Sequence, residues 1–193
     1  MEVEERLIAE CINGNRKSQH ELYLKCHSIL LSTCQRYTKE KNEAVSMMNL
    51  GYLKILKNLC KYKLEIPFEA WIRKIMINLL IDNYRANKKR LEHISLNDEM
   101  TPLHNSGSFD LDEAGHLLDA EEVELMIRHL PVVSRIVFNM FAIDGYSHSE
   151  IATIMNIKSG TSKWHVNNAR QILQEMIVTK YPELNRYLKK RKA

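Results

Sequence analysis

The residues best suited to chemistry lie on two helical stripes. Near the C-terminal end, Lys163, Trp164, Asn167, Asn168 and Gln171 fall opposite Val166 and Ala169, with Arg170 at the edge, when the segment is plotted at ~100° per residue. Asn and Gln can bond adenine through two hydrogen bonds, and Lys and Arg suit guanine or phosphate. Trp164 can pack on a thymine methyl or a sugar, or rest on a neighbouring helix. His165 points sideways and reads as a packing or phosphate residue rather than a metal ligand. The second stripe joins Lys74, Asn78, Asp82, Arg85 and Lys89 and runs into Lys88-Lys89-Arg90. A basic and amide stripe on an otherwise apolar helix suits an anionic surface.

The net charge of +4 is unevenly spread. Residues 54–90 hold ten basic residues against three acids, a net of +7. Residues 91–127 hold ten acids and no Lys or Arg. Residues 158–193 hold nine basic residues against two acids, again +7. Two basic blocks around an acidic one suit a polyanion such as nucleic acid; solvated helix faces are the plainer reading. The acidic middle would be repelled by phosphates.

Elements must place these stripes. The 193 residues include only 6 Gly and 4 Pro, which favours long helices over a loop-rich β sandwich. Leu22, Cys26, Leu30, Cys34 and Tyr37 form one apolar stripe, and Val45, Met48, Tyr52, Ile55 and Leu59 a second. A third helix over about 67–90 starts at Pro67. Phe68, Trp71, Ile72, Ile75, Met76, Leu79, Leu80 and Tyr84 cover more than half of its circumference. Residues 91–118 are acidic, carry loop formers such as Asn105-Ser106-Gly107-Ser108, and lack sustained periodicity. They read as a linker.

The last third is helical again. Leu125, Ile127, Leu130, Val133, Ile136, Val137, Met140, Phe141 and Ile143 supply its core, Pro131 starts a helix and Gly145 ends it. Ser147-His148-Ser149-Glu150 reads as a capping box before a short helix. Asn156 can take the left-handed turn. A final helix begins at Ser159-Gly160-Thr161, with Val166, Ala169, Leu173 and Met176 inward. Two helices joined by a tight turn, the second carrying polar groups, make a helix-turn-helix.

No apolar run approaches the ~20 residues of a membrane span, and Met1-Glu2-Val3-Glu4-Glu5 is unlike a secretory signal. A cytoplasmic protein without membrane insertion is expected. The cysteines, Cys11, Cys26, Cys34 and Cys60, form no C-x-x-C pair and read as reduced thiols. No nucleophile–base or metal constellation emerges at helix-face spacing. The expectation is no enzyme, no metal and no cofactor.

Two segments together resemble the sigma-70 family of bacterial RNA polymerase initiation factors, in its two-domain extracytoplasmic-function group. Phe68-Glu69-Ala70-Trp71-Ile72 through Asn78 and Asp82 to Arg85 is similar to that group's F-x-x-W-(L/I)-x-x-I-x-x-N-x-x-(I/L)-D-x-x-R stretch. Gly145-Tyr146-Ser147-His148-Ser149-Glu150-Ile151-Ala152, Gly160-Thr161 and Ala169-Arg170 resemble its helix-turn-helix. Glu21-Leu22-Tyr23 to Tyr37 fits its first helix. The match runs in order over about residues 15–175.

The resemblance implies an all-α fold of two small helical domains joined by an acidic linker. Residues 1–90 would bind core RNA polymerase and read and melt the −10 promoter element, 91–117 would be the linker, and 118–193 would read the −35 element. The −10 contacts implied are Lys74, Asn78, Asp82, Arg85 and Lys89, with Lys61, Tyr62 and Lys63 in a loop that captures an unstacked base. Trp71 reads as core rather than a melting wedge. The −35 contacts implied are Ser162, Lys163, Trp164, Asn167, Asn168 and Arg170. The polymerase grip falls on the stretch Ala44–Tyr52, with Val45, Met48, Asn49 and Tyr52. There Val45, Ser46 and Leu50 stand where the family usually has acids, and Asn49 where it has glutamine. Ser162 stands where a buried valine is common. The expected partners are core RNA polymerase, promoter DNA and an anti-sigma factor. A sigma-like DNA-binding regulator that does not recruit polymerase is the rival reading.

Overall fold

The computed structural model describes residues 3–91 and 119–182, leaving aside the side chains of 88–91 and 120. Every regular element among the described residues is helical. The chain divides into two compact units, Met1–Leu96 and Asn97–Ala193. The acidic segment 91–117, apart from the backbone of Leu91, lies outside the described residues. No helix among the described residues is long and apolar enough to cross a membrane.

The N-terminal unit contains α1 (Glu5–Ile12), α2 (Arg16–Tyr37), α3 (Lys41–Asn58) and α4 (Phe68–Leu91). Gly14 ends α1 at φ +81°, a conformation that glycine adopts without strain. Asn15 caps α2: its side-chain oxygen accepts from the Lys17 and Ser18 amides at 3.0 and 3.3 Å. Leu22, Cys26, Leu30 and Cys34 on α2 are wholly buried and Tyr37 nearly so, as their spacing predicts. Burial pushes the Cys26 and Cys34 thiols up to about 12, which keeps them protonated. Cys11 is buried as well, Cys60 is exposed, and all four cysteines are free.

Met48, Tyr52, Ile55 and Leu59 of the second stripe are buried, as their spacing predicts. Ala44, Met47, Met48, Gly51, Tyr52 and Ile55 face inward on α3, while Val45 lies exposed. Gly51 lets α3 approach α4 closely: a Cβ there would stand 2.2 Å from the sulfur of Met76. The Tyr52 hydroxyl, buried beneath, donates to the Gln19 carbonyl.

The buried arc of α4 is rotated from the one the sequence suggests. Phe68, Ile72, Met76 and Leu80 are buried, and so are Ile77 and Ile81. Trp71 and Ile75 are only half-buried. Trp71 lies on the same arc as Asn78 and Asp82, not on the apolar face.

The C-terminal unit contains α5 (Ala120–Arg128), α6 (Val132–Phe138), α7 (His148–Met155) and α8 (Ser159–Lys180). Pro131 precedes α6, which runs on into a π-type turn, Asn139–Ile143. Gly145 follows at φ +76°. The capping box at Ser147 is complete: Ser147 Oγ accepts from the Glu150 amide at 3.3 Å, and Glu150 accepts from the Ser147 amide at 2.8 Å. Asn156 takes the left-handed conformation at φ 53°. The Ile157 amide then donates to the Ala152 carbonyl at 3.0 Å, closing the turn into α8. Met126, Ile127 and Leu130 pack on Ala169, Leu173 and Ile177. Leu125 and Ile143, expected in this core, are exposed. Leu125 lies across α5 from Met126 and Ile127, so one helix cannot bury both faces here. Ile177 takes the inward position expected of Met176, which is only partly buried.

Gly51→Val should destabilise the N-terminal unit by about 1–3 kcal/mol, because the added branches meet the buried Met76 rather than open space. Urea unfolding followed by helical circular dichroism checks this; an unchanged midpoint would contradict the close α3–α4 approach.

Candidate functional site

Two surfaces carry the candidate residues, one on each unit. On α4 the outward stripe is Lys74, Asn78, Asp82 and Arg85, all exposed. The apolar arc described above forces them there. Asp82 sits between two cations, 3.9 Å from Lys54 of α3 and 4.0 Å from Arg85. Exposed pairs of this kind contribute little to stability, so both cations can exchange partners for a phosphate. Arg73 lies outside this stripe and bonds Glu69 at 2.7 Å, which holds the Glu69 carboxyl below the usual range. The side chain of Lys89 lies outside the described residues.

The loop before α4 starts with a short 3₁₀ turn, Leu59–Lys61. Lys61 and Lys63 are exposed. Tyr62 is more constrained than a free stacking platform. Its ring lies 5.0 Å from Phe68 and 5.2 Å from Trp71, and its hydroxyl donates to the Ile66 carbonyl at 2.7 Å. It therefore ties the loop down onto the start of α4. Leu64 and Ile66 protrude from that loop. The sequence pattern gave no reason to single them out.

The stretch expected to grip a partner divides in two. Met48 and Tyr52 are 1% and 8% exposed and belong to the core, so they present no side-chain surface. They share the inward side of α3 with Gly51, which lies against Met76 of α4. Val45 and Asn49 do face outward, and the Tyr23 hydroxyl donates to Asn49 at 3.4 Å. Leu50 and Leu53 are 53% and 54% exposed on the same helix. The outer face of α3 thus carries the apolar Val45, Leu50 and Leu53 beside Ser46 and Asn49. Leu53 lies outside the inward stripe that spacing picks out, so periodicity gives no signal for it.

On α8, Lys163, Asn167 and Arg170 are exposed and follow one another at helical spacing. They share a face. Trp164 is half-buried, with its ring edge-on to His165 at 4.9 Å. Asn168 turns toward α6 instead of outward: its amide donates to the Ser134 hydroxyl at 3.1 Å. Ser134 is buried, and His165 Nδ1 lies 3.0 Å from the same hydroxyl. Asn168 and His165 thus fix α8 against α6. Ser162, expected as a contact, is fully buried. Its hydroxyl bonds His148 Nδ1 at 3.0 Å, joining the first turns of α7 and α8. Neither polar link could be read from one helix's spacing, because each partner lies in another element.

Residues 120–173 match the family model described as Sigma-70, region 4. That segment is therefore similar to region 4 of the sigma-70 family. Over more of its length the chain is similar to proteins named as ECF RNA polymerase sigma factors. It is 22% identical to the RNA polymerase sigma-H factor of Pseudomonas aeruginosa over 182 residues, covering 91% of this chain and 94% of that protein. It is 25% identical to the ECF RNA polymerase sigma factor SigW of Bacillus subtilis over 150 residues, covering 75% of this chain and 80% of that one. Among solved structures, the sigma factor RpoE of Bartonella quintana, in complex with the anti-sigma factor NepR, aligns with a TM-score of 0.49 at 18% identity. That alignment covers 82% of this chain and 95% of RpoE. Sigma factors of this family are initiation factors, not enzymes.

The two neighbouring asparagines of α8 separate by role. Asn168→Ala should lower the melting temperature, because it removes a bond to a buried hydroxyl. Asn167→Ala should leave the melting temperature unchanged and weaken DNA binding. Thermal melts and fluorescence anisotropy on a duplex distinguish these outcomes; the reverse pattern would contradict the assigned orientation of α8.

Proposed function

We propose that this chain is a sigma factor that binds core RNA polymerase and directs it to a subset of promoters. Residues 1–90 act as the polymerase-binding and −10 domain, 91–117 as the linker, and 118–193 as the −35 domain. The observation that carries this reading is the α4 stripe, Lys74, Asn78 and Arg85, turned outward on a unit joined to a region 4 match. A regulator that only bound duplex DNA through its helix-turn-helix would have no use for a second basic stripe.

In this proposal α4 lies along the −10 element. Arg85, Lys74 and Lys89 approach phosphates and Asn78 reads a base edge. The loop with Lys61 and Lys63, braced by Tyr62, receives a base that has left the stack; lysines on either side suit its phosphates. No cofactor is needed, since capture of unpaired bases offsets the few kcal/mol of unstacking per step. On the −35 element, Lys163 and Arg170 take phosphate or guanine, Asn167 reads a base edge, and Trp164 packs beside them. Asp82 holds Lys54 and Arg85 in place until DNA arrives. Val45, Asn49, Leu50 and Leu53 form the polymerase grip, a less charged one than is usual in the family. The factor works in the cytoplasm. An anti-sigma partner belongs to the same proposal and rests on the family resemblance alone.

The apolar outer face of α3 is the observation that favours the rival, a DNA-binding regulator that does not recruit polymerase. Gel filtration with core RNA polymerase from the protein's own source separates the two. Co-elution is expected; a folded chain that elutes alone would favour the regulator. In the complex, Arg85→Ala should impair promoter opening more than core binding. Lys163→Ala should reduce the salt dependence of promoter binding by about one unit of slope. An unchanged slope would remove Lys163 from the phosphate contacts.

A further inference from the structure

The His148–Ser162 pair has no part in the contacts assigned so far. His148 opens α7 and is half-buried. Its ring stacks on Phe141, with centroids 4.3 Å apart and planes 13° apart. Its Nδ1 bonds the buried Ser162 hydroxyl at 3.0 Å. The ring is therefore fixed at the seam between the two helices of the helix-turn-helix, beside the exposed face of α8.

The groups around this ring are unbalanced. From α8, Lys163 and Arg170 both act on it, and both disfavour a further positive charge. The π-type turn contributes the neutral Phe141 ring. Burial, then Asp144 and Glu150, push the neighbouring Tyr146 hydroxyl up. Glu150 is also engaged by the Ser147 amide and hydroxyl. Burial first, then Lys163 and Arg170, hold His148 below its usual titration range, so the ring is neutral near pH 7.

A polyanion laid on this face changes that balance. Phosphates that pair with Lys163 and Arg170 offset the two charges opposing protonation. They also add negative potential close to the ring. The Ser162 hydroxyl can accept from a protonated Nδ1 as readily as it donates to a neutral one. The bond between the helices therefore survives protonation.

We propose that His148 is a proton-linked member of the DNA-binding face, taking up a proton as that face closes on phosphate. The inference rests on the reading of α8 as a DNA-facing helix. Its sign follows from linkage. The DNA-bound form binds more protons than the free form between their two titration midpoints, so affinity rises as pH falls through that window and levels off below it. The phosphodiester charge is constant over the same range, so the dependence belongs to the protein.

Two measurements on the full chain test this, using a mixed-sequence duplex of ~20 base pairs at low salt as the probe. The first is the NMR titration of the His148 ring, assigned by its loss in His148→Gln. Its midpoint should move to higher pH when the duplex is added. The second is affinity by anisotropy. It should tighten several-fold from pH 7.5 to pH 6, within the tenfold per pH unit that one proton allows, and the change should shrink in His148→Gln. A duplex that binds while the His148 midpoint stays fixed overturns the proton linkage but leaves the DNA face intact. An equal pH dependence in His148→Gln does the same. Absence of binding at every pH contradicts the DNA face itself, and the linkage with it.

Discussion

Everything at the N-terminal surface depends on how much of α4 must be buried. Phe68, Ile72, Met76, Ile77, Leu80 and Ile81 leave water only a narrow arc. Burial of side chains of this size contributes about 1.5–3 kcal/mol each, far more than the exposed ion pairs on the other side. Packing therefore sets the rotation of the helix, and the polar stripe follows from it. Lys74, Asn78, Asp82 and Arg85 have no other direction to take. A helix held in this way presents its stripe in one rotation before any ligand arrives, which lowers the entropic cost of binding.

The same constraint recurs in the C-terminal unit with different means. The apolar contact of Met126, Ile127 and Leu130 with Ala169, Leu173 and Ile177 holds the far end of α8. In its N-terminal half, where the candidate contacts lie, polar links join the buried Val166: Ser162 to His148, and Asn168 and His165 to Ser134. Directional bonds fix the helix's rotation more narrowly than apolar contact alone. Buried hydroxyls with satisfied partners add no large penalty, whereas loss of one partner would strand the other.

Much of this was legible in the sequence where the determinants were local. The capping box at Ser147 and Glu150, the left-handed Asn156 and the α2 stripe need only neighbours within a turn or two. The reading failed where one helix had apolar residues on several faces. Val45 and Leu125 looked inward on spacing alone, but Gly51 and the Met126–Ile127 edge set the real orientation. Trp71 shares the polar arc and is partly covered by Tyr62 and Phe68, a tertiary effect. Ser162 and Asn168 looked like contacts because their helix positions allow it. Their partners lie 14 and 34 residues away, beyond the reach of any periodicity. The outer apolar patch of α3 was visible as missing charge, but its full extent to Leu53 required the helix's rotation to be known.

The central claim is that two separate basic faces on one chain guide polymerase to promoters. Mapping the 5′ ends of transcripts made on genomic DNA by core polymerase, with and without the protein, tests it most directly. The account predicts a discrete set of new start sites, preceded by two short sequence blocks at a constant spacing, one for each face. Start sites identical with and without the protein would contradict it, as would new sites sharing only one block.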